Sequence, residues 1–74
     1  MNLKVGDSIE LESGEKYAIL MDTVLKEEKY YLISNEKNIS EILVIQINGE
    51  DVKIVKDKKE IEEVINAMTE IEEN

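Results

Sequence analysis

The C-terminal segment, residues 57–71, constrains the fold most because its apolar side chains repeat with the spacing of a helix. At roughly 100° per residue the repeat covers an arc of about 120°, the width of a helix buried on one side. Asp57 followed by Glu60 has the spacing of a capping box. We predict a helix over about residues 58–71 that frays near its end and leaves residues 72–74 mobile. The apolar stripe consists of Ile61, Val64, Ile65, Met68 and Ile71.

The stripe needs a partner surface, since an isolated helix of this length is marginal in water. The preceding residues supply one, because short runs of strand-favouring residues alternate with turn signals. Asn48-Gly49 is the strongest hairpin signal, as both residues tolerate positive φ. Residues 25–29 are polar enough for a connection, and residues 35–38 read as a loop with asparagines suited to left-handed backbone. Strands are predicted at about residues 8–11, 17–24, 30–34, 41–47 and 52–55.

Short strands joined by short loops predict an α+β fold in a single domain of residues 1–74. Its sheet is an antiparallel five-stranded meander on which one C-terminal amphipathic helix packs. The second strand shows that a flat sheet is insufficient, because Ile19 and Met21 on one face oppose Ala18 and Leu20 on the other. Either the sheet curls into a small open barrel, or a second copy or another protein covers the remaining face. We favour curling.

The charge balance limits the partners. Eighteen acidic residues oppose nine basic ones, for a formal net charge of −9. Nucleic-acid phosphates and anionic membranes would repel such a chain, whereas a basic protein surface would attract it. Cysteine is absent, and no apolar run approaches the length of a membrane span. We therefore expect a cytoplasmic protein that binds neither nucleic acid nor membrane, with a homodimer as one alternative.

The order of these elements resembles the YrzB-like family, a group of short acidic bacterial and phage proteins of unknown function. The resemblance is carried by the Gly6-Asp7 opening, the strands Tyr17–Met21 and Tyr30–Ile33, and the acidic helix headed by Asp57–Glu60. It extends from about Gly6 to Ile71 and implies a fold and an acidic, soluble character. The family provides no catalytic signature to carry over to this chain.

Most enzyme chemistry lacks its usual side chains here, because the chain has neither histidine nor cysteine. A nucleophilic Ser34 activated by Lys37 is not supported, because the sequence pattern does not place the two side chains next to each other. Glu50-Asp51 lacks the alternating oxygen ligands and final glutamate of a calcium loop. The tyrosines read as packing residues. We expect no enzyme activity and no catalytic, cofactor or metal residues, with a small enzyme using lysines or carboxylates as the least favoured alternative.

The acidic helix is the remaining candidate for a functional surface. Six glutamates and no lysine occur between residues 60 and 73, about one carboxylate per ~3.5 Å of helix. This is close to the ~3.4 Å spacing of phosphates along one DNA strand. We expect a non-catalytic protein that binds another protein; the alternative is a phage or mobile-element inhibitor that mimics nucleic acid and blocks a basic groove. An ordinary solvated face is the competing interpretation. The candidate partner-binding residues are Glu62, Glu63, Glu70 and Glu73.

Overall fold

The computed structural model describes residues 3–70, which form one antiparallel sheet and one helix. The strands follow one another in the sheet in chain order, each antiparallel to the next. The α+β meander with a single C-terminal helix is therefore confirmed. The elements are β1 (Ser8–Glu10), β2 (Lys16–Leu25), β3 (Glu28–Asn35), β4 (Ile42–Asn48), β5 (Asp51–Ile54) and α1 (Lys58–Thr69).

The sheet curls into a half-barrel, which confirms the favoured explanation for its two apolar faces. One side, here called the inner face, is concave and buries side chains against each other. Leu3, Ile9, Leu11 and Leu43 pack partly buried against this cluster. Curling thus covers one apolar face without a second helix. The buried residues of the inner face are Tyr17, Ile19, Tyr31, Ile33, Ile45 and Ile47.

The opposite side, here called the helix face, is covered by α1. Tyr30 of β3 and Val44 of β4 point to it and form a buried cluster with Val55 and with Val64 of α1. Val64 is fully buried, but 37% of Ile65 remains exposed, so the predicted apolar stripe is wider than the contact. The convex side of a curled sheet touches a straight helix along only a narrow strip. The predicted fraying at Ile71 and mobility of residues 72–74 lie outside the described residues.

Hydrogen bonds hold the first turn of α1 both to the backbone of the helix and to the sheet. The Asp57 carboxylate accepts a hydrogen bond from the Glu60 backbone N–H at 3.0 Å, as the capping pattern predicts. The Glu60 carboxylate reaches the sheet, where it accepts from the Tyr30 hydroxyl at 2.9 Å. Burial and then this hydrogen bond raise the pKa of Tyr30 above its ordinary value. Glu60, whose backbone N–H is bound by the Asp57 cap, therefore also anchors the helix on β3.

A β-bulge in β2 corrects the predicted assignment of its side chains to faces. Ile19 opposes Ile33 and Met21 opposes Leu32, so Leu20 is one extra residue in the strand. The extra residue reverses the alternation, because side chains switch faces at every position of a strand. Met21 consequently lies on the helix face, and the prediction that it shares a face with Ile19 is wrong. A bulge also bends a strand, which suits the curl of this sheet.

The connection between β2 and β3 is shorter than predicted. It consists of Lys26 and Glu27 alone, with φ of 55° and 67°. Positive φ at both central residues is the pattern of a type I′ hairpin turn. The prediction of a connection over residues 25–29 is wrong because polar residues here belong to strands. Lys29, for example, lies over the Tyr31 ring and 3.7 Å from the Asp22 carboxylate.

Two further turns differ from prediction in detail. Asn35 is the buried last residue of β3 and not the first residue of the loop, and among the described residues no asparagine uses the left-handed backbone that it would tolerate. Its side chain instead takes over the turn-forming hydrogen bonds of the loop. The β4–β5 hairpin is present, but Asn48 pairs with Asp51, so the turn residues are Gly49 and Glu50. Gly49 alone of the two has positive φ, at 66°.

Candidate protein-binding site

The predicted acidic residues on α1 are partly assembled by the fold. Glu62 and Glu63 are exposed on the helix, and Glu70 is exposed at its C-cap position. Glu63 lies 3.8 Å from the Lys26 ammonium group. Glu73 lies outside the described residues. The structure therefore retains an acidic helix surface, with one of its carboxylates next to a lysine.

This surface is less acidic in the described chain than the sequence count indicates. The helix opens with Lys58 and Lys59, and the Glu60 carboxylate is directed to Tyr30. Only Glu62 and Glu63 remain as exposed carboxylates within the helical residues. The regular spacing of charges proposed for mimicry of a phosphate backbone is thus not developed within Lys58–Thr69.

A second surface, which the sequence did not reveal, lies at the open side of the half-barrel. The sheet ends in β1 on one side and β5 on the other, and its curl leaves a groove between them. The groove has a volume of about 490 Å³ and is open to solvent. We call it the seam groove. It is lined by Glu10, Leu11, Glu12, Glu50, Asp51, Val52 and Ile54.

The apolar floor of the seam groove follows from the position of β5 at the sheet edge. Val52 pairs with Ile47 and Ile54 with Ile45, so both lie on the inner face. Ile45 is fully buried, yet 38% of Val52 and of Ile54 remains exposed. The difference arises because, in the described chain, no strand follows β5. Two β-branched side chains of the core face are thereby left in contact with solvent.

The backbone of β5 is also open along this edge. The Val55 N–H donates to the Val44 carbonyl at 2.8 Å, which fixes the phase of the ladder. Facing residues in an antiparallel pair alternate between hydrogen-bonded and non-hydrogen-bonded positions. Asp51 and Lys53 therefore direct their backbone groups to β4, whereas Val52 and Ile54 direct theirs to the seam groove.

The walls of the seam groove are both acidic. Glu10 and Glu12 come from β1 and the turn after it, and Glu50 and Asp51 come from the β4–β5 hairpin. Neither of the two ion pairs within the described chain involves these four carboxylates. Like charges on facing strands are destabilising, so the acids oppose direct pairing of β1 with β5. These acids therefore disfavour closure of the barrel across this side.

A separate polar cluster lies at the N-terminal end of β2 and has a structural role. Asn35 is only 3% exposed, and its amide donates to the Glu15 and Glu41 carboxylates at 3.2 and 3.0 Å. The Tyr17 hydroxyl also donates to Glu41, at 3.0 Å. Burial and then this hydrogen bond raise the pKa of Tyr17. These bonds join the β1–β2 turn to the β3–β4 loop, and every group in them has a partner.

The catalytic arrangement considered from the sequence is not assembled. The Ser34 hydroxyl donates to the Ile39 carbonyl at 2.9 Å, so its hydrogen bond goes to backbone rather than to Lys37. Among residues 3–70, no three carboxylates lie close enough together to hold a metal ion.

Comparison with protein-family models, with curated proteins and with solved structures found no match for this chain. The resemblance to the YrzB-like family accordingly stays a prediction. No helix within the described part of the chain is long and apolar enough to cross a membrane.

Sequence reasoning missed the seam groove because its walls lie about forty residues apart in the chain. Only the curl of the sheet brings residues 10–12 and 50–54 together. One local signal was available, namely the alternation of Val52 and Ile54 with charged neighbours in a last, short strand. Glu50 and Asp51 were weighed as calcium ligands and judged solvated surface charge, and their position next to the apolar residues of β5 was not used.

Proposed function

We propose that this protein is a non-catalytic module that binds another protein, and that the seam groove is its binding site. The observation that carries the proposal is the partial exposure of Val52 and Ile54 on the inner face, in a groove whose walls carry four carboxylates. Apolar contact area surrounded by a polar rim is the usual composition of a protein interface. The rim provides orientation and the floor provides affinity.

Charge indicates the kind of partner. The groove walls carry only acidic side chains, and the chain as a whole has a formal charge of −9. A basic surface would approach faster and bind in one orientation, because complementary potentials steer association. A second copy of this chain would instead bring two acidic rims together. A basic partner protein is therefore favoured over a homodimer, and nucleic acid is disfavoured.

Inhibition by mimicry of nucleic acid would rely on the acids of α1, and the described helix favours it less. Glu63 lies beside Lys26, and Lys58 and Lys59 begin the same helix. A basic groove would meet these lysines together with Glu62. The seam groove offers a surface without such opposing charges among its lining residues.

The proposal is tested by affinity capture from a bacterial lysate with two variants that carry the same change in net charge. The groove variant combines Glu12→Lys and Glu50→Lys, and the helix variant combines Glu62→Lys and Glu63→Lys. All four positions are exposed, so both variants should fold. We expect the partner identified by mass spectrometry with the unmodified protein to be lost from the groove variant and retained by the helix variant. Loss from the helix variant alone would support the mimic instead.

A further inference from the structure

We infer that the occupant of the seam groove is an extended basic segment of the partner, which adds to β5 as a sixth strand. This inference rests on the proposed function and specifies how the partner is recognised. Three features of the groove support it: the backbone of β5, the alternation of its side chains, and the charge of its walls.

The backbone of β5 is prepared for another strand. Val52 and Ile54 direct their N–H and C=O groups away from β4, as the phase of the ladder shows. Each can exchange two hydrogen bonds with an incoming strand. Addition of a strand to an exposed edge draws its affinity from such main-chain bonds and its specificity from alternate side chains. No other described strand fills this position, since β1 ends the opposite side of the sheet.

The alternation of side chains defines the sequence of the segment. In an antiparallel addition, the residues that hydrogen-bond to Val52 and Ile54 lie opposite them and share the inner face. Apolar side chains at those positions would pack on Leu11 and close the cluster. The intervening residues point the other way, toward the side on which Glu10 and Asp51 lie. Lysine or arginine beside Glu10 and Asp51 would neutralise the rim, whereas a basic residue directly opposite Lys53 would meet a like charge.

The acidic walls favour a basic segment of a partner over the two other possible occupants, which are β1 of the same chain and β5 of a second copy. Strand β1 is part of the same chain, but Glu10 and, in the turn after it, Glu12 would face Glu50 and Asp51 if the barrel closed. A second copy could pair its own β5 with this one, at the cost of bringing two acidic hairpins together. A basic segment removes the repulsion in both cases, and so fits the groove best.

The test measures binding of a synthetic peptide in which lysine and valine alternate, capped at both ends and about seven residues long, enough to span β5. Two further peptides serve as controls. One alternates glutamate and valine, and the other contains the same lysines and valines in two separate blocks. We expect only the alternating lysine–valine peptide to bind, with an affinity that falls several-fold between about 0.05 and 0.5 M salt.

Protein variants then separate strand addition from general attraction between charges. Val52→Pro removes one N–H that faces the groove and none that bonds to β4, so affinity should fall about three- to tenfold. Lys53→Glu removes the basic residue on the outer side of β5 and should strengthen binding. Glu62→Lys on α1 should leave it unchanged. Circular dichroism and thermal melting confirm that each variant is folded.

A modified peptide keeps the test valid even if Val52→Pro does not fold. Methylation of the valine amides removes the donors that face β5 in an antiparallel addition, whereas methylation of the lysine amides leaves them in place. Loss of binding with the first peptide only would support the inference. Equal binding of the two methylated peptides, or of the alternating and block peptides, would overturn it. So would a dimer of the free protein, seen by sedimentation, that Val52→Pro dissociates.

Failure of this inference can be distinguished from failure of the proposed function. If the captured partner depends on Glu12 and Glu50 but the alternating peptide does not bind, the seam groove recognises a folded surface rather than a strand. The proposed function would then stand and the inference would fall. If the partner is indifferent to those two residues, both fall.

Discussion

At the residue scale, the buried polar cluster around Asn35 shows why single positions decide whether the loops hold together. The Asn35 carbonyl oxygen accepts hydrogen bonds from the backbone N–H groups of Lys37 and Asn38, at 2.8 and 3.2 Å. Its amide group meanwhile satisfies two carboxylates. One side chain thus replaces the backbone bonds that a regular turn would have made.

Asn35→Asp should therefore destabilise the protein although it is nearly isosteric. The carbonyl contacts survive, but two donors are lost and a negative charge is placed beside Glu15 and Glu41. We expect a loss of about 1–3 kcal/mol in the free energy of unfolding at neutral pH, measured by urea denaturation. Asn38→Asp, in the same loop but exposed, is the control and should change it by less than about 0.5 kcal/mol. Equal effects would show that the cluster is not holding the loop.

Tyr30 provides a prediction about pH. Its pKa is raised in the folded protein, so above pH 10 the unfolded chain loses the phenolic proton while the folded chain keeps it. The stability contributed by this group is complete below pH 10 and is lost as pH rises through the folded pKa. Tyr17, whose pKa is also raised, adds a second such contribution.

Tyr30→Phe should consequently lower stability by about 1 kcal/mol at pH 7, because the bond to Glu60 is lost. Its stability should then decline less steeply above pH 10 than that of the unmodified protein. Urea denaturation over a series of alkaline pH values measures both effects. A variant that loses stability just as steeply would show that the raised pKa of Tyr30 does not contribute.

At the scale of elements, the β2–β3 turn is the clearest case of tertiary structure overriding local preference. A type I′ turn favours asparagine and glycine, yet this one is formed by lysine and glutamate at positive φ. Long side chains at such angles cost on the order of 1 kcal/mol per residue. Since no turn signal stands in the sequence, the hairpin could be located only through the pairing of its strands.

Replacing the turn by Lys26→Asn and Glu27→Gly should therefore stabilise the protein by about 1–2 kcal/mol. The lost contact between Lys26 and Glu63 matters little, since both side chains are largely exposed. Thermal denaturation measures the gain. Glu28→Gly is the matched control, because residue 28 lies in the strand, where glycine should destabilise by about 0.5–1 kcal/mol. A double variant no more stable than the original would contradict the assignment of the turn.

The helix was predictable in its position and its cap but not in the width of its contact. Spacing alone treats Val64 and Ile65 as equals, whereas the convex helix face buries the first and exposes 37% of the second. Val64→Ala should cost about 2–3 kcal/mol, and Ile65→Ala less than about 1 kcal/mol. Urea denaturation of the two variants tests this difference. Equal losses would indicate a broader packing of α1 on the sheet.

At the scale of the whole molecule, the sequence predicted the meander, its curl and the single helix because these follow from periodicity and from apolar residues on both faces of the strands. It could not predict the bulge at Leu20, since an inserted residue looks like continued alternation until the strands are paired. The seam groove could not be predicted from the sequence for the same reason. It exists only once β1 and β5 occupy opposite edges of a curved sheet.

Recognition through the open edge of β5 is tested most directly by residue-resolved amide hydrogen exchange, with and without the alternating lysine–valine peptide. In the free protein the Val52 and Ile54 amides should exchange faster than that of Lys53, which is bonded to β4. On addition of the peptide, we predict that exchange at Val52 and Ile54 slows markedly while that at Glu62 and Glu63 does not change. Slower exchange confined to α1, or unchanged exchange at Val52 and Ile54, would contradict recognition through the edge of β5.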